Sequence, residues 1–460
     1  MKNYRLLLPG VTFAIGPALS YISLPLITNS VNVSDYGTYT YYLSLLSVIS
    51  FLSLLPALNA TVNRYGSKSS NNYINDMYAI RLICYFSSII YAICVFFICF
   101  NYDYANKIEF LVISMSIFSV NIFSVIKSYL LINNSKEKYS FFVITINLFQ
   151  YSYLFYAINS NDFTISDIIF GNVILFIFIL LYKARSLIRF PPSPSAQLGL
   201  NHKIIKFMGM SFAISLSTII YNNTDKIMIE HLLGESRSLA LYQVSYQIFA
   251  FPIESMYALI SIFTPAFLYR AFDKDVNLYE FNLKVTFKIV LFIIFLLSQL
   301  LFLNKIYLKD LLLDSNYIVE DSLPMIFLVS QSVFLLYLIS TNIFIVYDKR
   351  SYIIGSLTLS SLINILLNWY LIPKFGYVGA AIATLASYSV LTAIVFIIAF
   401  NVFKFRFFDW KDCCLALSVP MTYGILGDNY IIYLISIVAI SLFYFLTNIK
   451  NTYINFLRGV

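Results

Sequence analysis

Apolar runs long enough to cross a bilayer follow one another along the whole chain. A spanning helix needs roughly 20 apolar residues at about 1.5 Å of rise each. Runs of that kind fall at 8–28, 38–60, 79–100, 110–132, 139–159, 165–182, 206–224, 241–265, 283–303, 323–345, 351–371, 377–400, 411–426 and 430–447. That makes fourteen spans; the last two are short and separated by Gly427, Asp428 and Asn429, and losing both would leave twelve with the same charge pattern. With 60% apolar and 11% charged residues, a soluble core is excluded, because too few charges remain to clothe it. The expected fold class is an all-α polytopic membrane protein. The start, MKNYRLLLPG, lacks a small-residue cleavage pattern and reads as a retained first helix.

The basic residues test this count. With a cytoplasmic N-terminus and every run crossing, 24 of the 30 lysines and arginines fall inside and six outside. That skew is the one the positive-inside rule expects, and it sets both termini in the cytoplasm. The loops are short, so none can house an enzymatic domain. The longest, 183–205, carries Pro191, Pro192 and Pro194 and is stiff and non-helical. It divides the chain into an N-terminal six-helix bundle (1–182), a linker (183–205), a second six-helix bundle (206–400), and two peripheral helices with a tail (401–460).

Chemistry-bearing motifs are scarce. There is no G-x-x-x-x-G-K-[ST], so no P-loop. The five cysteines and two histidines make no metal-ligand spacing, and no enzyme, resident cofactor or nucleic-acid partner is expected. A weak internal repeat is present. Pro25–Ile49 matches Lys226–Ala250 in pattern when Tyr39 is set against Tyr242. Internal repeats are a habit of transporters, and six intervening spans make these two parallel. On this register Asp225 and Lys226 lie inside the seventh helix, near its outer end, rather than in a loop. Ionised groups there should face water or each other. Asp225 reads either as a cavity group or as an interface anchor. Lys226 reads as either, with a stem long enough to reach outward.

In the eighth run Gln243, Gln247, Glu254 and Ser261 recur at intervals of four and seven, which puts them on one face of a regular helix. Glu254 is too deep to reach water with its short side chain, so it needs a cation, a proton or water, or else is a neutral acid gluing helices. Pro252 frees a carbonyl and bends the helix beside it. Arg64, Arg81, Lys127 and Lys288 lie near inner ends, with Arg270 beyond the eighth run. Each alone reads as a snorkelling anchor. Together they would suit a polyanionic head group entering from the cytoplasm. Asn364 and Asn368, four apart, form a pair of the kind that bridges helices.

Three segments resemble a known family. They are TDKIMIEHLLG at 224–234 with ALYQVSYQI at 240–248, NILLNWYLIPKFGYVGAAIATLASY at 364–388, and VSDYGTYTYY at 33–42. They are similar to bacterial polysaccharide transporters, the Wzx-type O-antigen flippases of the multidrug/oligosaccharidyl-lipid/polysaccharide exporter superfamily. The resemblance covers essentially the whole chain, and IPKFG-xx-GAA is its most specific part. It implies two pseudo-symmetric bundles in a V around a central cavity, in the bacterial inner membrane. It implies a monomer that carries an undecaprenyl-diphosphate-linked oligosaccharide outward by alternating access, coupled to H+ or Na+. A polysaccharide polymerase and a chain-length regulator would be associated with it. Two relatives of the same superfamily are alternatives, a cation-coupled multidrug exporter and a lipid II flippase. The first helix carries no charge in its membrane part, which argues against the latter. A membrane glycosyltransferase or polymerase would need a larger catalytic loop.

Overall fold

The computed structural model describes residues 4–49, 136–158, 202–256 and 274–407, with isolated positions elsewhere. Every regular element among the described residues is helical. In chain order these are α1 (Tyr4–Ser30), α2 (Val33–Ile49), α3 (Lys136–Ile158), α4 (His202–Leu233) and α5 (Ser236–Ser245). A π-helical turn, Tyr246–Ala250, carries α5 on into helix at 251–256. Then follow α6 (Val276–Leu303), α7 (Lys305–Leu312), α8 (Leu323–Val346) and α9 (Arg350–Phe403). The chain forms two compact units, Met1–Ala240 and Leu241–Val460, with the boundary inside α5.

In the first unit α1 packs on α3 and α2 on α4. α4 begins at His202, inside the segment expected as linker, and runs unbroken through Asp225 and Lys226. Its 32 residues make a rod of about 48 Å, longer than the roughly 30 Å of hydrocarbon. The extra length lets the charged end of the helix lie at or beyond the apolar slab without a break. Gly234, at φ +65°, ends it by sending its N–H to the Glu230 carbonyl, 2.9 Å away. The breaks Ser30/Val33 and Leu233/Ser236 are separated by the same offset that aligns Tyr39 with Tyr242. The helical breaks thus follow the register of the sequence repeat.

In the second unit α8 lies between α6 and the distal half of α9. Ser298 and Ser332 hydroxyls meet at 3.2 Å on one side. Thr392 donates to the Val333 carbonyl at 3.2 Å, and Phe334 stacks on Tyr388 at 4.4 Å, on the other. A helix packed on both sides needs buried residues all round, and on α8 these include Phe327, Leu328, Leu335, Ile339 and Ile343, with small polar residues among them. α6 is two-faced in a membrane sense. Phe287, Val290, Leu291, Ile294 and Phe295 are buried, while Ile289, Ile293, Leu296 and Leu300 form an exposed apolar stripe at helical spacing. Such a stripe suits lipid as the outer solvent. α6, α8 and α9 are the described helices long and apolar enough to cross a membrane.

α9 is two helices joined at Gly376, the one non-helical residue within it (φ 59°, ψ −148°). Ser360 on the first arm donates to the Ser387 carbonyl on the second at 2.7 Å, so the arms run antiparallel. A Cβ on Gly379 would fall on the Leu371 backbone, so the arms touch main chain to main chain at the tip. The segment IPKFG-xx-GAA therefore encodes a hairpin. Gly376 supplies the reversal, Gly379 the close approach, and Ala380 and Ala381 the buried packing. The expected spans 351–371 and 377–400 are these two arms, with the helix carried further through Pro373 than the sequence suggested.

The short α7 was not anticipated. Ile306, Tyr307 and Leu311 are exposed on it. Lys309 ties it to Asp321 at 2.6 Å and holds that carboxyl below the usual range, through a hydrogen bond and its charge.

Candidate functional site

Three polar clusters interrupt the apolar interior. The first lies on α4. Asp225 is 6% exposed, and its Oδ1 accepts the Lys226 N–H at 2.9 Å. Lys226 is half-buried. Asn223 and Thr224 turn back to the Ile219 and Ile220 carbonyls at 2.8 and 2.6 Å, so part of the polarity in YNNTDK is satisfied within the helix itself. Glu230, one turn beyond Lys226, accepts the Ser236 hydroxyl on Oε1 at 2.7 Å. Its Oε2 is buried with no hydrogen-bond partner among the described residues.

The second cluster surrounds the π turn. Pro252 has no N–H and its ring would strike the carbonyl four residues back. The wider turn relieves that clash, and Phe251 N–H reaches back five residues to the Tyr246 carbonyl. A π turn is a one-residue insertion in helical phase. It therefore shifts what lies beneath Glu254. Tyr246, eight residues earlier, donates its hydroxyl to Glu254 Oε2 at 2.7 Å, and Gln331 Nε2 approaches that hydroxyl at 3.5 Å. The regular-helix spacing selected Gln247 for that face and passed over Tyr246. Gln243 Oε1 is buried without a partner among the described residues. Ser261 lies outside the described residues.

The third cluster is inside the α9 hairpin. Asn364 Nδ2 donates to Ser387 Oγ at 3.1 Å, Ser387 Oγ to the Thr384 carbonyl at 3.0 Å, and Asn368 Nδ2 to Asn364 Oδ1 at 3.0 Å. Asn364, Asn368 and Ser387 are fully buried and Thr384 nearly so. Two oxygens are left over: Asn368 Oδ1 and Thr384 Oγ1 are buried without partners among the described residues. The asparagine pair was legible from its spacing. Its partners on the second arm were not, because only the hairpin brings them opposite.

Of the expected basic collar the described residues include Lys288 alone. Arg64, Arg81, Lys127 and Arg270 lie outside the described residues. Lys288 is held by Asp409 at 2.5 Å and by Asp412 at 3.8 Å. Asp412 is fully buried and also accepts the Tyr444 hydroxyl at 2.6 Å and the Asp409 N–H at 2.8 Å. This charge is thus compensated within the second unit. Asp225 and Lys226 belong to the first unit, and Gln243, Gln247, Glu254 and Lys288 to the second. Among the described residues no group of three or more His, Cys, Asp or Glu side chains is placed to hold a metal.

No family model matches the chain, and no curated protein does. Solved structures do. A lipid II flippase, MurJ, in an inward closed conformation aligns with a TM-score of 0.68 at 16% identity, covering 98% of this chain and 100% of that one. An inward-facing MATE-family multidrug resistance transporter of the MOP superfamily aligns at 0.54 and 11% identity, over 91% and 98%. A MOP-superfamily transporter from Pyrococcus furiosus aligns at 0.54 and 12% identity, over 85% and 94%. Over nearly its whole length the chain aligns with these structures, and its all-α, multi-pass membrane fold is similar to that of MOP (multidrug/oligosaccharidyl-lipid/polysaccharide) transporters.

Proposed function

We propose that the protein is a non-enzymatic membrane transporter that moves a polyprenyl-diphosphate-linked saccharide between leaflets, by alternating access coupled to a cation. One observation carries the substrate class. The alignment with the lipid II flippase spans nearly all of both chains and is tighter than that with the multidrug resistance transporter. Physical chemistry supports the same class. A sugar diphosphate cannot cross hydrocarbon unaided, whereas its lipid tail can remain there. Arg64, Arg81, Lys127 and Arg270, which the charge pattern puts at the inner side, would receive the diphosphate. Asp225 and Lys226 on α4, with Gln243, Gln247 and Glu254, would line the path. A hard cation takes oxygen ligands. Asn368 Oδ1 and Thr384 Oγ1, buried and lacking donors, fit that need, and Asn368 and Thr384 would hold the coupling ion.

Within this class two cargoes are favoured by different features. The fold likeness favours lipid II. The absence of charge along the membrane part of α1 favours another glycan, such as the O-antigen unit that the sequence segments suggest. The experiment is depletion of the protein in its host, with lipid-linked intermediates extracted after labelling intact spheroplasts with an impermeant probe. Accumulation of lipid II on the inner face identifies the first cargo, and of another lipid-linked oligosaccharide the second. If every such intermediate still reaches the outer face and no other flippase substitutes, the proposal fails. Export of cationic drugs then becomes the reading to test.

A further inference from the structure

Three cations of the second unit, Lys284, Lys404 and Arg406, are exposed and have no carboxylate partner among the described residues. Lys288, one turn along α6 from Lys284, has two. The three meet where α9 ends. Lys404 takes the left-handed conformation (φ 56°), its N–H bonded to the Phe400 carbonyl at 3.0 Å and the Phe405 N–H to the Ala399 carbonyl at 3.3 Å. Helices commonly close this way, but the position favours glycine, and a lysine there incurs strain.

The residues that follow alternate. Phe405 and Phe407 are buried, their rings 4.7 Å apart, while Lys404 and Arg406 are exposed. Two cations are thus presented side by side. Lys284 reaches across from α6, with its Nζ 5.1 Å from the centre of the Phe405 ring, and the Arg406 guanidinium stands 5.1 Å from that of Phe400. Rings hold such cations by their faces and leave N–H groups free to donate. The last turns of α9 beside them expose Ile397, Phe400 and Val402. The charge pattern assigns this end of α9 to the cytoplasmic side. The helix dipole favours one cation at a carboxyl end. It does not account for three, two of them fixed over rings.

We propose that Lys284, Lys404 and Arg406 form a binding site for the phosphate of an anionic phospholipid of the cytoplasmic leaflet, with Ile397 and Phe400 as the surface along which its acyl chain lies. Uncompensated cations need an anion, and at this depth the membrane supplies phosphate. The diphosphate of a lipid-linked cargo has the same chemistry. It must enter the transport path, however, whereas these cations border apolar side chains exposed to lipid. The inference rests on the membrane fold and not on the cargo, so failure of the cargo reading leaves its test intact.

The test uses the purified full-length protein in detergent with added lipid, read by native mass spectrometry. Dioleoyl phosphatidylglycerol is expected to bind at least about tenfold tighter than dioleoyl phosphatidylcholine, since each cation near an anionic surface contributes about fivefold. The triple variant Lys284→Gln/Lys404→Gln/Arg406→Gln should lose that preference. Lys374→Gln, which removes a cation standing over the Tyr370 ring near the hairpin tip, should keep it. No preference in the wild type, an unchanged preference in the triple variant, or an equal loss in Lys374→Gln would overturn the site. Loss of undecaprenyl diphosphate binding together with phosphatidylglycerol in the triple variant would give the cations to the cargo and also overturn it. Should the triple variant misfold, Arg406→Gln alone is expected to weaken phosphatidylglycerol binding severalfold, and an unchanged affinity overturns the proposal.

Discussion

At the residue scale, the informative atoms are buried oxygens that nothing nearby satisfies. A polar group in a membrane interior has no water to turn to, and leaving it unpaired costs about 1–3 kcal/mol. Asn368 Oδ1 and Thr384 Oγ1 are two such atoms within one hairpin. If they hold a cation, its binding stabilises the folded protein by linkage, about 2.7 kcal/mol at a hundred times the dissociation constant. Replacing choline chloride by sodium chloride should then raise the melting temperature of the detergent-solubilised protein by several degrees. Thr384→Val should abolish the increase while leaving melting in choline nearly unchanged, and Asn368→Leu should abolish it from a lower baseline, because Asn364 Oδ1 then loses its donor. An equal sodium effect in both variants would remove these residues from the coupling site. The same scale shows why Glu254 was legible and Tyr246 was not. Depth in an apolar run marks a carboxylate as exceptional. A tyrosine in a chain with 38 of them is not marked, and its contact with Glu254 requires the phase shift at the π turn.

At the scale of elements, the α9 hairpin is set by two glycines with different duties. Gly379 needs its missing Cβ because the Leu371 backbone fills that space. Gly376 needs its positive φ, while the space about it is open. The two losses therefore differ in kind. Gly379→Val forces the arms apart and should cost about 3 kcal/mol or more, as overpacking of a tight interior does. Gly376→Ala incurs backbone strain of about 1–3 kcal/mol but no clash. Thermal unfolding should rank wild type above Gly376→Ala and both above Gly379→Val. The reverse order would mean that the arms are looser than the Ser360–Ser387 contact indicates. The motif stood out in the sequence by its glycines and alanines after a proline. What each glycine does there was not, since only the folded hairpin separates a strained backbone from a crowded one.

At the scale of the whole molecule, the described C-terminal positions Asp409, Asp412 and Tyr444 are tied to α6 of the second unit. Lys288 on α6 meets Asp409 and Asp412, and Asp412 takes the Tyr444 hydroxyl. Phe287 packs on Phe407, and Phe292 stacks on Tyr444. Removing one partner from a buried charged network is costly, about 3–5 kcal/mol, because the others are left uncompensated. Asp412→Leu should therefore destabilise the protein strongly, whereas Asp412→Asn, which still accepts the tyrosine proton, should do so less. Removal of residues 404–460 should leave a protein that aggregates in detergent. A truncated chain that stays monodisperse and melts as the full one does would show the segment to be dispensable for folding.

The sequence by itself determined the class of solvent, the all-helical character and the repeat register that the breaks at 31–32 and 234–235 follow. Hydropathy, charge asymmetry and repeat register are sums over many residues, and the bilayer reads them before any two helices touch. The 202–233 helix through Asp225 and Lys226 belongs to that layer, since the repeat register alone continued it past the charges. Tertiary structure decided which polar groups meet. Lys288 reads as a mouth cation until Asp409 and Asp412 are seen beside it. Glu230 reads as one more charge near a helix end until Ser236 folds back onto it. Asn364 gains its partner, Ser387, only across the hairpin. Apolar burial is roughly additive and is legible along the chain. A hydrogen bond needs two atoms within about 3 Å and in line, and their meeting depends on a π turn, a glycine reversal or a two-residue break that the rest of the fold must hold in place.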